Sequence, residues 1–201
     1  MVDPDGVELV TGAIETGTLQ YAAAQRLSDN YPQIPFPEGW KANLLGVDLN
    51  LQYPAGWLRA REIKFSQGYT RPGPRDYVGR APLNQRESIA LADFTQEIDP
   101  ALVLAYHTQG KVIYWQFQDY EVPGARELGE EFARLSGYEL ADTPYESSSA
   151  GYKDWFIQKF RRPGYTIEAG SGRNPLPIEQ FPEIYRDNLG ILVTAALGLP
   201  H

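Results

Sequence analysis

The sequence predicts an α/β domain in which a mixed, largely parallel sheet is flanked by helices. Three observations carry that expectation. Short apolar runs, "ALVLAYH" (101–107), "KVIYWQF" (111–117) and "GYTIEAG" (164–170), alternate with segments of helical period. The first run is continuously apolar, as in a strand covered on both faces. The first and third of these runs end on polar residues, His107 and Glu168, and strand ends in open α/β sheets lie where loops converge on a crevice.

Taken in order, "NYPQIPFPEGW" (30–40) has three prolines and no period, and reads as a loop ordered by its aromatic residues. Leu44 to Leu49 reads as a strand ending near Asp48, with a turn forced by Pro54 and Gly56. Residues 64–83 form a long irregular segment rich in Gly and Pro, of the length that is usually functional inside compact domains. "NQRESIALADFTQEI" (84–98) reads as a helix capped by Asn84, its apolar stripe formed by Ile89, Leu91, Phe94 and Ile98. Strands at 101–107 and 111–117 follow. "GARELGEEFARLSG" (124–137) is an amphipathic helix through Leu128, Phe132 and Leu135, stopped by Gly137. "GYKDWFIQKFR" (151–161) is a helix closed by Pro163, "GYTIEAG" a short strand, and 178–197 a last helix with a break around Pro182.

The bulk numbers exclude several classes. The chain has 201 residues, 42% hydrophobic and 12% aromatic, enough for a real core in one domain or slightly more. Its net charge of −8 repels phosphate backbones, so nucleic acid is not an expected partner. No run of 18 apolar residues exists, so no membrane-spanning helix is expected. The opening "MVDPDGVELV" lacks a basic start and a long apolar stretch. It predicts no signal peptide, and from that a cytoplasmic location. Cysteine is absent, so any metal must be held by His, Asp or Glu.

Three predicted strand ends are polar: "VDLN", His107 and Glu168. His107 alone reads either as a core histidine satisfied by backbone or as a ligand. Glu168 alone reads either as half of a structural ion pair or as a catalytic group, because a carboxylate closing an apolar strand is costly unless paired or used.

The set "GVDLN", "YHTQG", "YKDW" and "YTIEAG", in this order, resembles the carboxypeptidase A type of zinc peptidase, and "VDPDGVELV" resembles that family's "NPDG" segment, with Asp3 where Asn is usual. "EIKFSQGYTRPGPRDYVG" and "AGYKDWFIQKFRRPGYTIEAG" are closer to the bacterial γ-D-glutamyl-L-diamino acid endopeptidases, which cleave peptidoglycan stem peptides. The resemblance implies a zinc-dependent peptidase with a peptide substrate. It implies that His107 is a zinc ligand. It implies that Glu168, 14 residues after Asp154, is the general base that takes a proton from a zinc-bound water. Tyr145 matches a tyrosine that closes over substrate; the plainer reading is a surface aromatic. Lys41, in "KAN", stands where the family has an oxyanion-stabilising Arg, and supplies charge without the bidentate fork. Asn50 is retained from the substrate-carboxylate clamp of the digestive enzymes, but its Arg partner is replaced by Leu51. That argues against a simple carboxypeptidase. Lys153 falls at the floor of the specificity pocket, where it favours a substrate carboxylate by charge complementarity; the plainer reading is a solvated helical lysine.

The family's other two zinc ligands come from an "HxxE" pair before "NPDG". No such pair occurs here: His107 is followed by Thr108, Gln109 and Gly110, and His201 is last. The expectation is therefore that residues 1–201 are the C-terminal two-thirds of the peptidase domain, with an incomplete zinc site. The chain is then a truncated piece of a longer peptidase, or works with a separately encoded N-terminal half, or is a non-catalytic remnant that at most binds cell-wall peptide.

Overall fold

The computed structural model describes residues 3–198; Met1, Val2 and residues 199–201, His201 among them, lie outside the described residues. The chain divides into two compact units, residues 3–99 with 149–152, and residues 100–148 with 153–198.

The first unit carries four helices: α1 (Pro4–Thr11), α2 (Leu19–Ser28), α3 (Trp57–Ser66) and α4 (Arg86–Ile98). Helix α1 begins where Pro4 needs no N–H partner and the Asp3 carboxylate accepts from the N–H of Gly6, 3.1 Å away. Burial, with Glu87, Asp5 and Asp48 nearby, pushes the Asp3 carboxyl up to about 6. The folded state then holds this proton more tightly than the unfolded chain. Its contribution is complete below the ordinary carboxylate range and is lost as pH rises through about 6. Asp3→Asn keeps the cap and removes the titration. Urea unfolding at pH 4 to 7 is expected to show the variant gaining on the native chain as pH rises; parallel profiles would contradict this.

The loop at 30–40 is ordered by its aromatic residues, as expected. Phe36 stacks edge-on against Tyr21 (5.2 Å) and Trp40 (6.0 Å), and Trp40 is buried with Leu9, Ala24 and Ala42. Four expectations fail in this unit. Residues 44–49 form no strand. The Asn43 side chain accepts from the N–H groups of Leu45 and Val47, which a ladder would have used, and Gly46 turns the chain at φ 73°. Asp48 then caps a 3-10 turn at Leu49–Leu51. In α4, Ile89, Phe94 and Ile98 are exposed, while Ser88, Ala92 and Thr95 are buried. The small face packs because tyrosines fill the space beside it: Tyr53 meets Tyr152 edge-on at 5.4 Å, and the Tyr152 hydroxyl lies 2.8 Å from Thr95 Oγ1. The cap position is Gln85 rather than Asn84, and α3 takes in Lys64–Ser66, so the irregular segment starts at Gln67.

The second unit holds the whole described sheet. Strands β1 (Val103–His107), β2 (Val112–Tyr114), β3 (Glu139–Ala141) and β4 (Gly164–Glu168) lie in the order β1-β4-β2-β3. Pairs β1/β4 and β2/β3 are parallel and β2/β4 is antiparallel, so the sheet is mixed and mostly parallel, as expected. The helices are α5 (Ala125–Ser136), α6 (Tyr152–Phe160, whose first residue belongs to the other unit) and α7 (Phe181–Leu197). Helix α5 buries Leu128 and Phe132 and stops at Gly137, φ 74°, as its sequence indicates. Pro182 does not break α7; it sits in the first turn, where its missing N–H costs nothing. Strand β1 is less covered than its composition suggests, since Tyr106 is 42% exposed.

The core of this unit packs Ile113, Tyr165 and Ile167 of the sheet against Leu128, Phe132 and Ile191 of α5 and α7. Because strand side chains alternate, Gly164, Thr166 and Glu168 face the opposite side of β4. That side meets α6: a Cβ added to Gly164 would lie 3.2 Å from Ile157 and 3.3 Å from the stem of Lys153.

Candidate active site at the strand ends

Strands β1 and β4 run in parallel register, with Val103 opposite Gly164 and His107 opposite Glu168. The two polar residues therefore close neighbouring strands side by side, on the face of the sheet that meets α6, with Cα atoms about 5 Å apart. Loop hydrogen bonds hold both ends. Ala169 donates to the carbonyl of His107 (2.9 Å), Gly110 to that of Gly170 (2.9 Å), and the Asn174 side chain to that of Thr108 (2.9 Å).

Alternation brings in two residues that the sequence reading missed. Thr166 lies on the same face of β4 as Glu168. Tyr114 of β2 pairs with Thr166 across the ladder. Burial, and then the Glu168 and Glu139 carboxylates, push the Tyr114 phenol up. The signal for both was present in the period-two pattern of "KVIYWQF" and "GYTIEAG", once Ile113, Tyr165 and Ile167 are assigned to the core.

Lys153 is buried, not solvated. Its ammonium lies 2.6 Å from the carbonyl of Gln116, 2.6 Å from Asp154 Oδ1 and 3.4 Å from Thr143 Oγ1. Its stem rests against Gly164, the far end of β4. Four residues of strand separate that point from Glu168, roughly 13 Å. Tyr145 opens a 3-10 turn, Tyr145–Ser147, and is 69% exposed.

Lys41 and Asn50 lie in the first unit. The backbone N–H of Lys41 donates to the carbonyl of Pro74 (2.7 Å), and its side chain is exposed. Asn50 donates its N–H to Asp48 Oδ1 (3.1 Å), while Asp48 Oδ2 accepts from Asp76 (3.0 Å). Burial and the Asp76 carboxylate push the Asp48 carboxyl up. Leu51, at the position where the sequence resemblance expects a clamp arginine, is buried with Trp57, Ala60, Val78 and Ala150. An arginine there would have to leave an apolar core to reach a carboxylate.

The family model of the zinc carboxypeptidases matches residues 1–190. The chain is 50% identical over 196 residues to the γ-D-glutamyl-L-diamino acid endopeptidase 1 of Lysinibacillus sphaericus, covering 96% of this chain and 46% of that protein. It is 41% identical over 192 residues to the uncharacterized protein YqgT of Bacillus subtilis (strain 168), covering 96% and 49%. The chain thus spans about half the length of these curated relatives. Among solved structures it resembles the carboxypeptidase A of Helicoverpa armigera, with a TM-score of 0.57, 19% identity, and coverage of 98% of this chain and 51% of that one. It also resembles the murein-tripeptide amidase MpaA of Escherichia coli O157, with a TM-score of 0.54, 22% identity, and coverage of 83% and 65%. At these identities the likenesses establish the fold.

Proposed function

Since the chain belongs to the zinc carboxypeptidase family, we propose that it is the part of a peptidase that positions the general base and receives a γ-D-glutamyl-diamino acid peptide of the cell wall. One observation carries the chemistry: Glu168 and His107 stand side by side at the ends of β4 and β1. Glu168 is the proposed base for an attacking water, and His107 a proposed metal ligand. Lys41 is proposed to stabilise developing negative charge, with Asn50 and Tyr145 contacting substrate. The substrate class rests on the 50% identity to the Lysinibacillus sphaericus endopeptidase. Two features support it. Leu51 is a core residue, so the carboxylate clamp of a simple carboxypeptidase is missing. Lys153 presents a buried ammonium beside β4, on the face that carries Glu168, which favours a side chain ending in a carboxylate by charge complementarity.

The family's zinc meets an incomplete donor set. Among the described residues no group of three His, Asp or Glu could hold a metal ion. A catalytic zinc takes three protein groups, and His107 supplies one. The described residues therefore do not hold the ion by themselves. This favours a second reading, a non-catalytic piece that binds cell-wall peptide, unless residues beyond the described ones, of the same protein or of another, bring the remaining donors.

One experiment separates the two. In a chimera, residues 3–198 replace the matching portion of the Lysinibacillus sphaericus endopeptidase, and the isolated chain is assayed beside it. The isolated chain is expected to retain far less than one zinc per molecule and to cleave nothing. The chimera is expected to hold zinc and to release a diaminopimelate-bearing product from a γ-D-glutamyl peptide faster than Phe from a peptide ending in Phe. Stoichiometric zinc with turnover in the isolated chain would overturn the donor count. Faster release of Phe would overturn the substrate class. A folded, zinc-loaded but inert chimera would leave the binding reading standing.

A further inference from the structure

The ammonium of Lys153 has three N–H donors, and three acceptors from three segments surround it. They are the Asp154 carboxylate on its own helix (2.6 Å), the Gln116 carbonyl after β2 (2.6 Å) and the Thr143 hydroxyl after β3 (3.4 Å). Thr143 Oγ1 is in turn 3.5 Å from the Gln116 carbonyl. The Lys153 side chain is 4% exposed. A buried ammonium is tolerated only when paired and hydrogen-bonded, and this one has hydrogen bonds to two separate loops beside its ion pair with Asp154. A lysine serving only as a pocket floor would not need an acceptor from each of two separate loops. The arrangement is that of a fastening.

What it fastens is specific. Thr143 lies two residues before Tyr145, in the segment between β3 and α6. Phe117, next to Gln116, is buried and stacked on Tyr120 at 5.6 Å, so the Gln116 side of the fastening is rigid. We infer that Lys153 is a positioning residue: it ties the segment carrying the exposed Tyr145 to the turn after β2 and so sets where Tyr145 stands. The Thr143 contact is the longest of the three. A substrate carboxylate that reaches this ammonium takes the place of Thr143, and so alters the hold on the Tyr145 segment. That last step rests on the proposed function; the fastening itself does not.

Amide hydrogen exchange on the native 201-residue chain tests it. Thr143→Val removes the loop-side acceptor together with the long hydrogen bond from the Thr143 hydroxyl to the Gln116 carbonyl (3.5 Å), and is expected to speed exchange of the amides of Thr143 and of 145–148 roughly three- to ten-fold, as one lost hydrogen bond would. Exchange in α5 is expected to stay as it was. Lys153→Met is expected to do the same and to loosen 115–118 as well, and Lys153→Arg to restore much of the protection. Should Lys153→Met fail to fold, Thr143→Val alone decides. Unchanged exchange at these amides in that variant would overturn the inference. In the chimera, Thr143→Val and Tyr145→Phe are expected to lower kcat/KM less together than the sum of their separate effects. Strict additivity would show that Thr143 does not act through Tyr145. An inactive chimera would remove the proposed function and leave the exchange result to judge the fastening.

Discussion

Glu168→Gln is expected to lower kcat on the γ-D-glutamyl peptide by about two to four orders of magnitude in the chimera, with metal content and KM little changed. The amide keeps the shape of the carboxylate and cannot accept a proton. The position makes the expectation specific. Glu168 ends β4 directly beside His107, on the face that carries Thr166 and, at its other end, Lys153. A structural ion pair at that place would show the opposite pattern, a loss of stability with turnover per folded molecule preserved. Urea unfolding beside steady-state kinetics tells these apart. Near-native turnover would remove Glu168 from the mechanism.

The largest effect on stability is expected at Phe132. The ring is fully buried on α5, edge-on to Tyr165 at 5.0 Å, and packed with Ile113, Ile167 and Ile191. Truncation to alanine removes these contacts and leaves a cavity that the sheet on one side and α7 on the other cannot readily fill. A loss of about 3–5 kcal/mol is expected, a large share of what a domain of this size has in reserve. Denaturant unfolding of the variant measures it. A loss under about 1 kcal/mol would mean that this core collapses around the gap.

The second unit was largely legible in the sequence, and the first was not. In the second, most elements announce themselves. Leu128 and Phe132 recur at helical spacing before Gly137, and "VLAYH" and "GYTIE" are short apolar runs bounded by turn residues. Strand β3, at Glu139–Ala141, escaped because three residues carry no period. In the first unit local chemistry overrode pattern. Asn43 satisfied the N–H groups of an apolar run that then had no need of a strand partner. In α4, small residues rather than large ones faced the tyrosines. The candidate site was visible in part: His107 and Glu168 stand out as polar ends, whereas Tyr114 and Thr166 belong to the face only once the alternation of the strands is fixed. The acceptors around Lys153 come from its own helix and from two loops, and no spacing rule reveals the loop partners.

The register that sets His107 against Glu168 joins residues 61 positions apart in the chain. The β2/β3 pairing spans only 27 positions, from Val112 to Glu139. Closing the longer loop costs more chain entropy, though the dependence on length is only logarithmic. The greater handicap is that β4 must find two partners, β1 in parallel and β2 antiparallel, before both of its edges are satisfied. Pairings of long sequence separation are slow to form, so β2 and β3 are expected to pair before β4 inserts between β1 and β2. On that expectation the two residues that would do the chemistry are aligned late in folding. A chain caught short of that insertion carries the full set of side chains and no site.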